Sequence, residues 1–158
     1  MSPKKMTIIG VVMFAVFGAV VLRVGKAPDI SEAQGEKMQE SGFGVYLTTD
    51  KVVYAAGQPI NMELCVFNRT SEKTTLQFRN AQRFDFTIED GDGKKVWRWS
   101  EGRMFAQMLG QETLGPGKTQ LSYRQTYAGK LAPGTYKLTG TVTASNRPMS
   151  GSVTVEMR

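Results

Sequence analysis

FDFTIEDGDGKKVWRWS, residues 84–100, contains a complete fold signal in a short span. Phe84, Phe86 and Ile88 alternate with Asp85, Thr87 and Glu89, the period of a strand with one apolar face. Asp90-Gly91-Asp92-Gly93 follows, and Asp-Gly pairs supply the backbone angles that tight hairpins need. The pattern predicts a hairpin joining Phe84–Glu89 to Lys95–Ser100. In the second arm Trp97 and Trp99 share one face, with Val96, Arg98 and Ser100 on the other. The same four turn residues imitate the start of a calcium loop. They lack its third ligand position and its closing glutamate at the required distance, so the hairpin is the preferred reading.

The same alternation recurs on both sides of this segment. Ile60, Met62, Leu64 and Val66 alternate with Asn61, Glu63 and Cys65. Leu121 and Tyr123, then Tyr136, Leu138 and Val142, then Val153, Val155 and Met157 continue it. Turn signals at 55–59, 90–93, 115–117, 132–134 and 150–151 separate these runs. Seven to nine short strands of this kind predict an all-β fold, an immunoglobulin-like antiparallel β-sandwich, over residues 43–158. Pro133-Gly134-Thr135-Tyr136 places a tyrosine where such folds carry their corner tyrosine.

Composition removes much chemistry. The 158-residue chain has no histidine and one cysteine, Cys65. Ser-His-Asp and Cys-His nucleophile pairs, His-ligated metals and Cys-cluster zinc sites cannot be assembled within it. No enzyme activity, cofactor or metal is expected. The net charge of +6 is spread without a basic stripe, so no nucleic-acid partner is expected. Gly117-Lys118-Thr119 imitates the end of a phosphate-binding loop, but Glu112 stands where that loop needs its first glycine. Asn68-Arg69-Thr70 is a glycosylation sequon, relevant only in a eukaryotic secretory pathway. Asp85, Glu89 and Glu101 could in principle supply a carboxylate pair for acid-base work, but alternation merely places Asp85 and Glu89 on one solvated face.

The N-terminal region differs in kind. Met6–Leu22 carries no charge and only Thr7 as a strongly polar residue. At ~1.5 Å per residue it reaches about 25 Å, and snorkelling Lys5 and Arg23 extend it toward a ~30 Å hydrocarbon slab. It is read as an uncleaved signal anchor with residues 1–5 in the cytoplasm, in preference to a cleaved signal peptide. Residues 23–42 then form a polar tether to a domain on the periplasmic or extracellular side of the cytoplasmic membrane. The bilayer, through residues 6–22, is an expected contact.

The ordered segments Phe84-Asp85-Phe86, Val96-Trp97-Arg98-Trp99-Ser100, Arg103-Met104-Phe105-Ala106-Gln107, Leu114-Gly115-Pro116-Gly117 and Pro133-Gly134-Thr135-Tyr136 resemble the bacterial intracellular proteinase inhibitor (BsuPI-like) family. The resemblance extends over roughly residues 44–145 and implies an immunoglobulin-type sandwich and proteinase inhibition. Tyr127 stands where family members commonly carry tryptophan. The apolar anchor is foreign to an intracellular inhibitor, and location is here read from the anchor.

Two readings of the aromatic segment follow. In the first, Phe84, Phe86, Trp97, Trp99 and Tyr136 form a structural aromatic core, and Arg98 pairs across the hairpin with Asp85, Thr87 or Glu89. In the second, Arg98, Arg103, Met104, Phe105 and Met108 present a protein-binding surface of the aromatic and arginine type common at interfaces. The leading expectation is a non-enzymatic, membrane-anchored protein-binding domain, an accessory or structural subunit of a membrane complex. The alternative is a proteinase inhibitor acting through residues 101–113 or 145–151.

Overall fold

A computed structural model describes residues 42–117 and 119–158. Among these residues there are ten strands and no helix, against the seven to nine strands expected. In chain order they are β1 (Phe43–Thr49), β2 (Val53–Tyr54), β3 (Ile60–Asn68), β4 (Thr74–Phe78) and β5 (Phe84–Glu89). The rest are β6 (Lys95–Arg98), β7 (Gly110–Leu114), β8 (Thr119–Tyr127), β9 (Gly134–Val142) and β10 (Met149–Met157). They form a three-stranded sheet ordered β1-β3-β8, a five-stranded sheet ordered β2-β10-β9-β5-β6, and a two-stranded sheet of β4 and β7. Pairing is antiparallel except where the two-residue β2 runs parallel to β10.

The alternating apolar residues of all three sheets meet in one core. Leu47, Leu64, Phe86, Ile88 and Leu138 are fully buried within it, and Tyr136 and Val155 lie in the same cluster. Two glycines let the sheets approach. A Cβ on Gly140 of β9 would meet Leu64, Phe86 and Leu47 at 2.8 to 3.3 Å, so the space below it is taken by Leu64 and Leu47 of the opposite sheet and by Phe86 of the neighbouring strand. A Cβ on Gly151 of β10 would meet the backbone of Tyr46 and Leu47 at 2.9 to 3.1 Å, so the bare glycine lets β10 close against β1.

The opposite side, between β6 and β8, is closed by aromatic rings. Trp97 meets Tyr127 edge-on with centroids 5.1 Å apart. Tyr123, Phe84 and Trp99 follow one another at 4.9 and 4.5 Å. Trp97, Trp99 and Phe84 are half-buried and packed against the core, whereas Phe86 and Tyr136 are buried in it. The Tyr136 hydroxyl donates to the Ala132 carbonyl (3.0 Å), four residues upstream, the bond by which a corner tyrosine fixes the entry to its strand.

Three sequence expectations need correction or restriction. Asp85 is only 4 % exposed, because Arg98 and Ser100 fold over it from the neighbouring strand; it does not lie on a solvated face with Glu89. Asn68 of the sequon has no exposure, its side chain spanning Thr70, Glu72, Leu114 and Gly115, so the folded chain offers no glycan acceptor there. The expected anchor Met6–Leu22 and its tether as far as residue 41 lie outside the described residues, and among the described residues no helix is long and apolar enough to cross a membrane.

Candidate functional site: the loop between β6 and β7

Residues 99–109 connect β6 to β7 and carry four of the five proposed surface residues. The fifth, Arg98, ends β6 and belongs to the base of the loop. Its Nε donates to Asp85 Oδ2 at 2.6 Å. Ser100 donates to the same carboxylate twice, from its hydroxyl (2.6 Å) and its amide (3.1 Å), and the Phe86 amide adds a fourth bond at 3.0 Å. One buried carboxylate thus satisfies donors from the end of β6 and from the start of the loop. Charge-assisted bonds of this kind are the strong ones.

A tight turn follows. Glu101 and Arg103 amides donate to the Arg98 and Ser100 carbonyls, and Gly102 takes a φ of 71°, a region that a residue with a Cβ enters only with strain. The chain is then held from below by one ring. The Arg103 guanidinium lies 4.6 Å from the Trp99 ring centroid, and its Nε donates to the Trp99 carbonyl at 2.7 Å. The half-buried Phe105 ring lies 5.7 Å from the same indole. Further on, the Ala106 carbonyl accepts from Ala81 and from Met108, tying the descending limb to the body.

What this framework leaves outside is apolar. Met104 is 99 % exposed, Leu109 83 % and Met108 61 %. Beside the loop lies an open depression of about 460 Å³ walled by Gln82, Lys95, Arg98, Ser100, Glu101 and Phe105. Leu109 was not singled out in the sequence, although its place at the end of the Met104–Leu109 segment was the available signal.

The second expected loop behaves differently. Residues 149–151 lie inside β10, and the segment before them runs along the edge of β4. Ser145 donates its amide to the Gln77 carbonyl (2.7 Å), while Asn146 accepts from the Gln77 amide and donates to the Thr75 carbonyl, both at 2.9 Å. Asn146 thereby stands in for a strand and covers an exposed edge.

Beneath the aromatic seam, the Tyr123 hydroxyl is buried and finds no hydrogen-bond partner among the described residues. Burial, then the negative charge of Glu112, push its pKa up to about 12, so the phenol stays neutral.

Comparison with known proteins gives this arrangement a context. The family profile BsuPI, intracellular proteinase inhibitor, matches residues 47–147, more than half of the chain. The chain belongs to the BsuPI family. This is a family of inhibitors, not of enzymes. It also overturns the extracytoplasmic, membrane-anchored placement expected from the sequence, since BsuPI inhibitors are intracellular. That expectation rests on a 17-residue apolar stretch, Met6–Leu22, at the short limit of the roughly 17–25 residues that a membrane span needs.

No curated protein matches the chain. Among solved structures it is similar to the alkylpurine DNA glycosylase AlkC of Pseudomonas fluorescens, at 17% identity and a TM-score of 0.45, covering 75% of this chain and 31% of that one. It is similar to the CARDB domain of a Pyrococcus furiosus protein, at 14% identity and a TM-score of 0.44, covering 73% and 87%. It is also similar to the sporulation control protein Spo0M of Bacillus subtilis, at 11% identity and a TM-score of 0.47, covering 75% and 50%. The chain spans less than a third of the glycosylase it matches.

Proposed function

We propose that the protein binds and inhibits a proteinase, presenting the loop at residues 99–109 from a β-sandwich of immunoglobulin type. The leading expectation from sequence, an accessory subunit of a membrane complex, gives way to its alternative, because the family is one of proteinase inhibitors. The sandwich reading is supported by the two large sheets sharing one core and by the corner bond of Tyr136.

The observation that carries the choice of loop is the contrast between bracing and exposure. The loop is fixed at its base by Asp85, in its middle by Trp99 and at its descending limb by Ala81, yet its tip stands clear of the body. A segment already held in its binding shape loses little conformational freedom when it enters a cleft. Residues 145–148 are exposed too, but Ser145 and Asn146 spend their side chains on β4 and Arg147 lies over the Phe43 ring, so no large apolar side chain stands free there.

The test is titration of the full chain against a panel of intracellular and secreted serine proteinases of known active-site concentration. The reading expects saturable loss of activity of at least one enzyme at about one inhibitor per enzyme. A chain that every enzyme either ignores or simply degrades would refute it.

A further inference from the structure

Around the tip of the loop, three consecutive side chains are held in unlike ways. Arg103 is stacked on Trp99 and bonded to its carbonyl. Phe105 packs half-buried against the same indole. Met104, between them, is 99 % exposed. The residues on both sides of Met104 thus rest on one indole, and Met104 does not. The backbone on either side of Met104 is therefore fixed by neighbours clamped to a single ring, while its own side chain is directed away and free.

From this geometry we infer that Met104 enters the primary specificity pocket of the target, and that the target is a proteinase whose pocket is deep, apolar and without a carboxylate at its base. This rests on the inhibitor reading above. Methionine is long, unbranched and uncharged, so it fills an apolar slot and offers nothing to a buried acid. The neighbour that would suit an acidic pocket is Arg103, and using it means breaking both its stacking and its bond to Trp99. Met108 and Leu109 are exposed too, but they follow the point where Ala106 is drawn back to Ala81, which places them where the flank of a cleft would lie.

The experiment compares the full chain with its Met104→Lys and Met104→Asp variants. Each is titrated against a chymotrypsin-like and a subtilisin-like enzyme, whose pockets are apolar, and a trypsin-like enzyme, whose pocket carries an acid. The expected result is inhibition of an apolar-pocket enzyme by the wild type. Lysine at 104 weakens that inhibition on the order of 100-fold and brings the trypsin-like enzyme under control, and aspartate weakens it against every enzyme. Thermal unfolding midpoints of all three stay together, because the site is exposed.

Two outcomes overturn the inference while leaving the inhibitor reading intact. One is an active wild type whose targets and strength do not change in either variant. The other is a wild type that inhibits the trypsin-like enzyme and loses this with Arg103→Ala. A wild type that inhibits none of these three enzymes removes the inference, and the inhibitor reading falls with it only if the wider panel above is spared as well.

Discussion

Asp85 shows how much one side chain organises here. Its carboxylate accepts from Arg98, from Ser100 twice and from Phe86, in a site only 4 % exposed. Asp85→Ala leaves those donors without their acceptor. Because Arg98 is half exposed and can turn to water, the cost should fall near about 1–3 kcal/mol, below the ~3–5 kcal/mol of stranding a fully buried charge. Urea unfolding of the variant measures this, and a loss under about 0.5 kcal/mol, the scale of ordinary surface changes, would show that the network is ornamental. Asp50 carries a pH dependence of its own. Burial alone would raise its pKa, but hydrogen bonds from the Tyr54 hydroxyl and from the Asn61 backbone and side-chain amides outweigh burial and hold it below the usual aspartate value. A depressed folded pKa means stability that is fully present above about pH 4 and is lost as pH falls through the lowered folded value. The gap in unfolding free energy between wild type and Asp50→Asn should therefore narrow as the solution is acidified from pH 5. A gap that stays constant would argue against the assignment.

At the scale of the element, the β5–β6 hairpin was legible and its finer geometry was not. Alternation at Phe84, Phe86 and Ile88 and the Asp-Gly turn sufficed to place both arms, and Asp90 does bind the turn's own amides at Asp92 and Lys94. A bulge between Ile88 and Glu89 sets Trp97 opposite Ile88 and leaves Val96 out of register, exposed at the edge. Bulges arise from twist and edge geometry, which a period-2 pattern does not encode. The burial of Asp85 was hidden for a related reason, since it is covered by residues 13 and 15 positions further along the chain. Strands β2, β4 and β7 are two to five residues long, too short for alternation to stand out from loop sequence. Gly93 gives this element its test. It holds φ at 78° with nothing within 4 Å of a Cβ, so Gly93→Ala meets only conformational strain and should cost about 1–2 kcal/mol. Denaturant unfolding reads the difference, and an unchanged midpoint would contradict the turn geometry.

At the scale of the whole molecule, glycines close one side of the core and aromatic rings the other. Gly151 brings β10 against β1, while Trp97, Trp99, Phe84, Tyr123 and Tyr127 fill the gap between β6 and β8. Trp99 packs against the core on one side and carries Arg103 and Phe105 on the other. The ordered sequence motifs suffice to identify the family, and they name 101–113 and 145–151 as the two candidate loops. They could not separate residues 101–113 from 145–151, a choice that depends on Asn146 reaching β4 from 71 positions away. On the inhibitor proposal, the loop at 99–109 is the surface that meets the proteinase. Amide hydrogen exchange, measured on the full chain free and in complex with an enzyme it inhibits, tests this most directly. Slowed exchange confined to residues 101–109, with 145–148 unchanged, is the predicted result; protection at 145–148 with 101–109 still exchanging freely would contradict it.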